Sequence, residues 1–193
     1  PTTLKQLQHM WKRDEFFRSL IVEGAIPELA SDLLGEDVAP QNLQYFNKPP
    51  RIGKATPPHQ DGYYFHIDPM RAVTIWLALE DVSVEQGCVR YVRGSHRDGL
   101  RPHARSGTLG FSQAITDYGA SDRSREVALP CRAGHLIAHD ALTIHMAEKN
   151  TTEDRSRQAL GFIYFAASCT TDETAAAQYQ TRLDAELRQQ NRI

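Results

Sequence analysis

The sequence predicts a mainly β protein with flanking helices, arranged as an antiparallel sandwich or jelly roll. Strand-like segments dominate the middle of the chain, and no helical segments alternate with them. Residues 72–79 are almost wholly apolar, which is typical of a strand buried on both faces. The chain has 193 residues, of which 40% are hydrophobic and 24% charged. These values fit one globular domain and exclude a chain disordered throughout, a collagen-like fibre and a coiled-coil rod.

Residues 1–37 are predicted to form a helical N-terminal part. Asp14 is suited to cap the first helix, because its side chain can accept hydrogen bonds from backbone N–H groups. Gly35 follows the apolar pattern of residues 26–34 and is typical of a residue that ends a helix. Apolar residues recur at helical spacing after the cap: Phe16, Phe17, Leu20 and Ile21.

Residues 38–169 are predicted to form the jelly-roll core. Its strand candidates are 42–47, 72–79, 88–93, 127–129, 136–139 and 158–167. Residues 97–126 contain four glycines and show no sustained periodicity, so we expect either a lid or binding loop or a disordered surface insertion. The basic residues of this segment are expected to be solvated rather than to contact an anionic substrate: Arg97, Arg101, His103 and Arg105.

Residues 170–193 are rich in alanine and charged residues. Thr171 or Asp172 can cap a helix there, so we predict a C-terminal helix. The core and the two helical parts together are expected to form a single domain.

The charge balance and the cysteine content bear on the binding partners and the compartment of the protein. Lys and Arg number 22 against 24 Asp and Glu, a net charge of -2 that gives no support to nucleic-acid or membrane-surface binding. The sequence shows no run of apolar residues long enough to span a membrane and no secretory signal. Three widely spaced cysteines favour free thiols in a reducing cytoplasm over a disulfide framework. A small-molecule substrate is the expected partner, and the sequence leaves the oligomeric state open.

Two His-x-Asp patterns are candidates for binding a metal, His59–Asp61 and His66–Asp68. In an extended segment, side chains two residues apart point to the same face, so both can reach one ion. Two histidines and one carboxylate on one face of an octahedron leave three positions open, which is the arrangement of non-haem Fe(II) oxygenases. The third ligand must come from elsewhere in the fold.

The segment Pro57–Phe65 resembles the iron-binding segment of the phytanoyl-CoA dioxygenase family. Further segments follow that family's order and approximate spacing: 76–82, 85–90, 94–96, 145–150 and 155–160. The resemblance extends over residues 4–167, and it implies a double-stranded β-helix, the cupin-like jelly roll. The family's catalytic domain usually begins earlier, so we expect the chain to be truncated at its N-terminus.

The resemblance implies that His59, Asp61 and His145 are the catalytic metal ligands. Asp61 precedes Trp76 at close to the family's spacing, whereas Asp68 is too near to it. His66 and Asp68 are therefore expected at the mouth of the pocket and not on the metal. His139 is expected to pack within its own strand.

The co-substrate implied by the family is 2-oxoglutarate. Arg157 matches the family's arginine better than Arg155, provided that the loop 151–154 carries a one-residue insertion. A guanidinium suits the distal carboxylate because it can bind both oxygens. The resemblance assigns the co-substrate contacts to Lys5, Gln44, His59, Gln60, Asp61, Trp76 and Arg157.

The implied activity is an Fe(II)- and 2-oxoglutarate-dependent dioxygenase that hydroxylates a small organic substrate. O₂ is consumed, and 2-oxoglutarate is converted to succinate and CO₂. Related halogenases lack the carboxylate ligand, so the presence of Asp61 favours hydroxylation. The alternatives are a hydrolase with another divalent metal and a catalytically inactive cupin-like protein that binds or senses a metal.

Overall fold

The structure, a computed structural model, describes residues 4–108 and 111–189. The strands are β1 Gln6–Leu7, β2 Val38–Lys48, β3 Thr56–His59, β4 Ile67–Asp68, β5 Ala72–Ala78, β6 Val89–Val92, β7 His103–Thr108, β8 Phe111–Ile115, β9 Glu126–Ala128, β10 Leu136–Asp140, β11 His145–Ala147, β12 Arg157–Ala166 and β13 Thr170–Thr171. The α-helices are α1 Glu15–Val22, α2 Ala25–Leu34, α3 Ala120–Arg123 and α4 Glu173–Gln189. Short 3₁₀ turns occupy Met10–Lys12, Asp61–Tyr64 and Ser95–Asp98.

Two antiparallel sheets form the core and confirm the predicted jelly roll. The major sheet has the order β1-β2-β12-β5-β10, and the minor sheet has the order β3-β11-β6-β9. Each of the six strand segments predicted from the sequence overlaps one strand of these sheets. Apolar residues of both sheets pack between them, including Trp76 and Ala159 from the major sheet and Tyr91 from the minor sheet.

The two faces of the major sheet carry different residues. On the outer face, Leu43, Ile75 and Phe162 pack with Ile21 of α1 and Ala30 of α2, so the N-terminal helices cover the sheet as predicted. On the other side, which we call the inner face, the register places Gln44, Gly161 and Trp76 side by side. It likewise aligns Thr74 with His139 and Lys48 with Arg157.

The helix ends follow the sequence, but the outer bounds of the helical parts do not. Asp14 accepts hydrogen bonds from two backbone N–H groups, and Gly35 ends α2 with a φ of 72°. However, the predicted helical part also contains β1, which extends the edge of the major sheet by pairing with β2. Similarly, Thr170–Thr171 pairs with β4, so α4 begins only at Glu173.

The prediction of a long loop at 97–126 is wrong for the described residues. This segment forms the β7–β8 hairpin, α3 and the start of β9. Arg101, just before β7, forms ion pairs of 2.9 Å with Asp117 and 2.8 Å with Asp122, both of which follow β8. Short strands interrupted by glycine show little periodicity, which is why the sequence did not reveal them. Gly110 lies outside the described residues.

Candidate metal centre

The β3–β11 pairing brings two of the predicted ligands together. His59 ends β3 and is the direct register partner of His145, the first residue of β11. Their ring centroids lie 4.1 Å apart. Asp61 follows His59 and opens a 3₁₀ turn, which directs its carboxylate towards both imidazoles. The distances from Asp61 Oδ1 are 3.7 Å to His59 Nε2 and 3.6 Å to His145 Nε2.

These three side chains form a group that can hold one metal ion. One ligand atom from each lies within 4.8 Å of the others. His66 and Asp68 do not belong to this group: the His66 ring packs against Tyr179 with centroids 5.6 Å apart, and Asp68 is exposed in β4. The geometry thus distinguishes the two His-x-Asp patterns.

The hydrogen bonds of the two imidazoles direct the same nitrogen of each ring to the centre. His59 Nδ1 lies 2.8 Å from the Pro57 carbonyl, and His145 Nδ1 lies 3.1 Å from the Thr143 carbonyl. Because a carbonyl can only accept a hydrogen bond, each Nδ1 carries the hydrogen. Nε2 is then the nitrogen with a lone pair, which is the state that a metal ligand requires.

Asp61 is held through its other carboxylate oxygen. Asp61 Oδ2 accepts a hydrogen bond of 2.7 Å from Thr74 Oγ1 and one of 3.2 Å from His139 Nε2. His139 therefore contacts a candidate ligand, and the expectation that it only packs within its own strand is wrong. The reason is the β5–β10 register, which places His139 directly beside Thr74. Tyr91 extends this arrangement, since its hydroxyl lies 2.9 Å from His139 Nδ1.

The electrostatics favour protonation states that suit a metal. Burial lowers the pKa of His59, and burial together with the neighbouring imidazoles lowers the pKa of His145. Burial alone would raise the pKa of the Asp61 carboxyl, but His145, His139 and His59 together lower it well below its usual range. Neutral imidazoles and an ionised carboxylate are the forms that coordinate a cation.

A second polar region lies at the other end of the inner face. Arg157 is 6% exposed and its guanidinium lies 5.5 Å from the centroid of the Trp76 ring. Within residues 4–108 and 111–189, Arg157 Nε is buried without a hydrogen-bond partner, and burial lowers the pKa of this guanidinium to about 10. Arg155, by contrast, is exposed in the preceding loop, where its carbonyl accepts from Asn150.

Lys48 is the register partner of Arg157, and we call these two residues the cation pair. Lys48 is also 6% exposed, and its Nζ donates a hydrogen bond of 2.6 Å to the Glu148 carbonyl. Burial, and then the charge of Arg157, lower the pKa of the Lys48 amine to about 7. Nothing in the sequence distinguished this lysine, because its burial depends on the β2–β12 pairing.

The other predicted co-substrate residues occupy different environments. Gln44 lies on the inner face beside Gly161, and its side-chain oxygen accepts from Gln6 at 3.3 Å. Gln60 is fully buried, and its side-chain amide donates to the carbonyls of Gly99 and Leu142.

Lys5 is exposed beside β1, and its carbonyl accepts from the backbone of Asn47. The structure therefore groups Trp76, Gln44 and Arg157 on one face. The contacts of all the predicted residues with a co-substrate stay predictions.

Fold and ligand set together define a class of protein. A jelly roll that presents two histidines and one carboxylate on one side of a buried centre is the framework of the non-haem iron oxygenases. The chain belongs to the phytanoyl-CoA dioxygenase family, whose family model, "Phytanoyl-CoA dioxygenase (PhyH)", matches residues 2–159.

Curated relatives and solved structures agree with this assignment. The chain is 32% identical over 162 residues to phytanoyl-CoA dioxygenase domain-containing protein 1 of Bos taurus, covering 81% of this chain and 55% of the relative. It is 35% identical over 130 residues to the Dictyostelium discoideum homologue, covering 63% of this chain and 45% of the relative. The chain spans about half the length of the curated relatives it matches.

Among solved structures, the chain is similar to EvdO2 from Micromonospora carbonacea var. aurantiaca in complex with 2-oxoglutarate. The TM-score is 0.73 at 26% identity, covering 90% of this chain and 71% of that one. The epimerase SnoN in complex with Fe3+, alpha ketoglutarate and nogalamycin RO gives 0.73 at 28% identity, with 89% and 67% covered. No helix within the described ranges is both long and apolar enough to cross a membrane.

Proposed function

We propose that this protein is an Fe(II)- and 2-oxoglutarate-dependent dioxygenase that hydroxylates a small organic substrate. The reaction consumes the substrate, 2-oxoglutarate and O₂, and it yields the hydroxylated product, succinate and CO₂. The observation that carries this proposal is the convergence of His59, Asp61 and His145 at one buried centre within the jelly roll. Family membership supports the same reaction class.

The donor set fits iron. Two imidazole nitrogens and one carboxylate oxygen on one face suit Fe(II) and leave room for further ligands. When bound, iron supplies the redox chemistry that activates O₂, with 2-oxoglutarate as the source of two electrons. The protein's part is to present His59 Nε2, His145 Nε2 and Asp61 Oδ1 in a fixed arrangement shielded from water.

The cation pair supports a dicarboxylate co-substrate. Within the described part of the chain, no carboxylate lies within ion-pair distance of Arg157 or Lys48. A buried charge is costly unless it is paired. We therefore assign Arg157 to the distal carboxylate of 2-oxoglutarate, with Trp76 and Gln44 lining the space beside it.

The similar enzymes catalyse different reactions. SnoK is a carbocyclase with a TM-score of 0.72 at 31% identity, and SnoN is an epimerase. The framework thus supports several outcomes, and hydroxylation is our proposal for this chain. Three free cysteines support a reducing, cytoplasmic location.

The test is reconstitution of the purified protein with Fe(II) and 2-oxoglutarate under anaerobic conditions, followed by addition of O₂. Succinate should form with the wild-type protein but not with His59→Ala. In a panel of small organic compounds, a substrate should raise the rate of succinate formation and yield a product with one added oxygen atom. Metal binding without any succinate would instead support the catalytically inactive, metal-binding or sensing alternative.

A further inference from the structure

We propose that Thr74, His139 and Tyr91 form a hydrogen-bonded clamp that keeps Asp61 a one-oxygen ligand of the metal. The inference rests on the proposed function, because it concerns the same centre. Thr74 and His139 would act on the reaction only through Asp61, so they are positioning residues. The sequence predicts Thr74 and Tyr91 only as parts of strands, and it predicts that His139 packs within its own strand.

The first step is the saturation of one carboxylate oxygen. Thr74 and His139 are direct register partners on β5 and β10, and both face Asp61. They are 5% and 8% exposed, so no water is needed to satisfy the groups that they offer. Both donate to Oδ2, at 2.7 and 3.2 Å, whereas Oδ1 is the atom that faces His59 and His145.

The second step is the direction of the His139 hydrogen bond. Tyr91 is 7% exposed, and its hydroxyl faces His139 Nδ1, while His139 Nε2 faces Asp61 Oδ2, which as a carboxylate oxygen can only accept. Nε2 therefore carries the hydrogen and donates to Asp61, and Nδ1 accepts the hydrogen bond of 2.9 Å from the Tyr91 hydroxyl. Tyr91 is also the register partner of His145, so one strand pair positions both a ligand and the clamp.

The third step is the consequence for coordination. A carboxylate whose Oδ2 accepts two hydrogen bonds cannot turn both oxygens to the metal without breaking them. With the clamp in place, Asp61 would offer the metal only Oδ1, which would leave the other positions free for the co-substrate and O₂. Without the clamp, Asp61 can bind through both oxygens or turn away, which removes an open position or weakens the metal site.

The experiment measures binding of Co(II), a probe that needs no turnover. Thr74→Val keeps the shape of the side chain and removes the hydroxyl, and Thr74→Ser keeps the hydroxyl as the matched control. Partners of metal ligands typically contribute about 10- to 100-fold to metal affinity. We expect calorimetry to show at least about a tenfold loss for Thr74→Val and for His139→Phe, a smaller loss for Tyr91→Phe, and wild-type affinity for Thr74→Ser.

A second readout follows the open positions. Addition of 2-oxoglutarate to the Co(II)-loaded wild-type protein should change the visible absorption of the ion, and this change should be reduced in Thr74→Val at saturating Co(II). Wild-type affinity and an unchanged spectrum in both Thr74→Val and Tyr91→Phe would overturn the clamp. Failure of the wild-type protein itself to bind Co(II) or Fe(II) would instead contradict the proposed function.

Discussion

The two ends of the inner face differ in how their polar atoms are satisfied. At the metal centre, each ligand imidazole donates to a backbone carbonyl, and Asp61 Oδ2 accepts two hydrogen bonds. At the cation pair, Arg157 Nε has no hydrogen-bond partner among the described residues, and Lys48 donates to the backbone carbonyls of Ala147 and Glu148. The protein thus arranges its metal ligands through its own contacts, whereas at the cation pair it buries the Arg157 charge beside a lysine of lowered pKa, and we propose that a bound anion compensates this charge.

The difference predicts different behaviour on mutation. Removing a metal ligand destroys a centre that the protein assembles by itself, so succinate formation should be lost completely. Removing one cation weakens a site that only the ligand completes, so the loss should appear in binding of that ligand. Both kinds of effect can be measured separately, because metal binding and 2-oxoglutarate binding are distinct titrations.

The largest effect is expected at the metal centre. Asp61→Ala should abolish succinate formation and strongly weaken Fe(II) binding, because it leaves two neutral imidazoles without the charged oxygen ligand. Asp68→Ala is the matched control, since Asp68 is exposed in β4 and does not belong to the ligand group. Calorimetric titration with Fe(II) under anaerobic conditions would measure both. Loss of iron in Asp68→Ala with retention in Asp61→Ala would reverse the assignment of the two patterns.

The next effect concerns the choice between the two arginines. Truncating one partner of a desolvated charge pair typically costs about 2–5 kcal/mol. Arg157→Ala should therefore weaken 2-oxoglutarate binding to the metal-loaded protein by roughly 30-fold or more, at about 1.4 kcal/mol per tenfold. Arg155→Ala should leave it nearly unchanged, because Arg155 is exposed. A larger loss of 2-oxoglutarate binding in Arg155→Ala than in Arg157→Ala would place the co-substrate away from the cation pair. The contrast between the metal centre and the cation pair would then no longer hold.

The residues of these first two predictions could be named from the sequence, whereas other parts of the site could not. The His-x-Asp pattern made His59 and Asp61 candidates, and the family resemblance selected this pair over His66 and Asp68 and added His145 and Arg157. The apolar strand at 72–79 was predicted because its composition alone indicates burial on both faces.

The clamp and the cation pair were not predictable in the same way. His139 meets Thr74, and Lys48 meets Arg157, only through strand registers that join distant segments of the chain. No local pattern encodes such a register. The β7–β8 hairpin was missed for a related reason, since its alternation is short and the ion pairs of Arg101 with Asp117 and Asp122 join residues on either side of it.

A third, smaller effect is a pH dependence of stability that originates at Lys48. The pKa of this amine falls from 10.5 in the unfolded chain to about 7 in the folded protein. Between these values the unfolded state binds more protons, so the free energy of unfolding should rise as the pH increases through this window. Lys48→Met should flatten the rise, and saturating 2-oxoglutarate should also reduce it, because an anion favours the charged amine.

Urea unfolding at several pH values, with the wild-type protein and Lys48→Met in parallel, would measure this slope. Lys54→Met is the control, since Lys54 is exposed and near the same strand end. Equal slopes in the wild-type protein and Lys48→Met would mean that burial does not shift the titration of Lys48. The cation pair would then not be the uncompensated end of the inner face.

The smallest effect tests whether the outer face is independent of the inner one. Asp14 caps α1, which packs on the outer face. The Ile21 carbonyl of this helix accepts a hydrogen bond from the Tyr164 hydroxyl. Asp14→Ala should lower the free energy of unfolding by about 1 kcal/mol, the typical contribution of an N-terminal cap. Co(II) affinity should not change, because the metal ligands and their hydrogen-bond partners all lie on the other side of the major sheet. A parallel loss of metal affinity would show that the helices help to position β5 and β12, and that the two faces act as one unit.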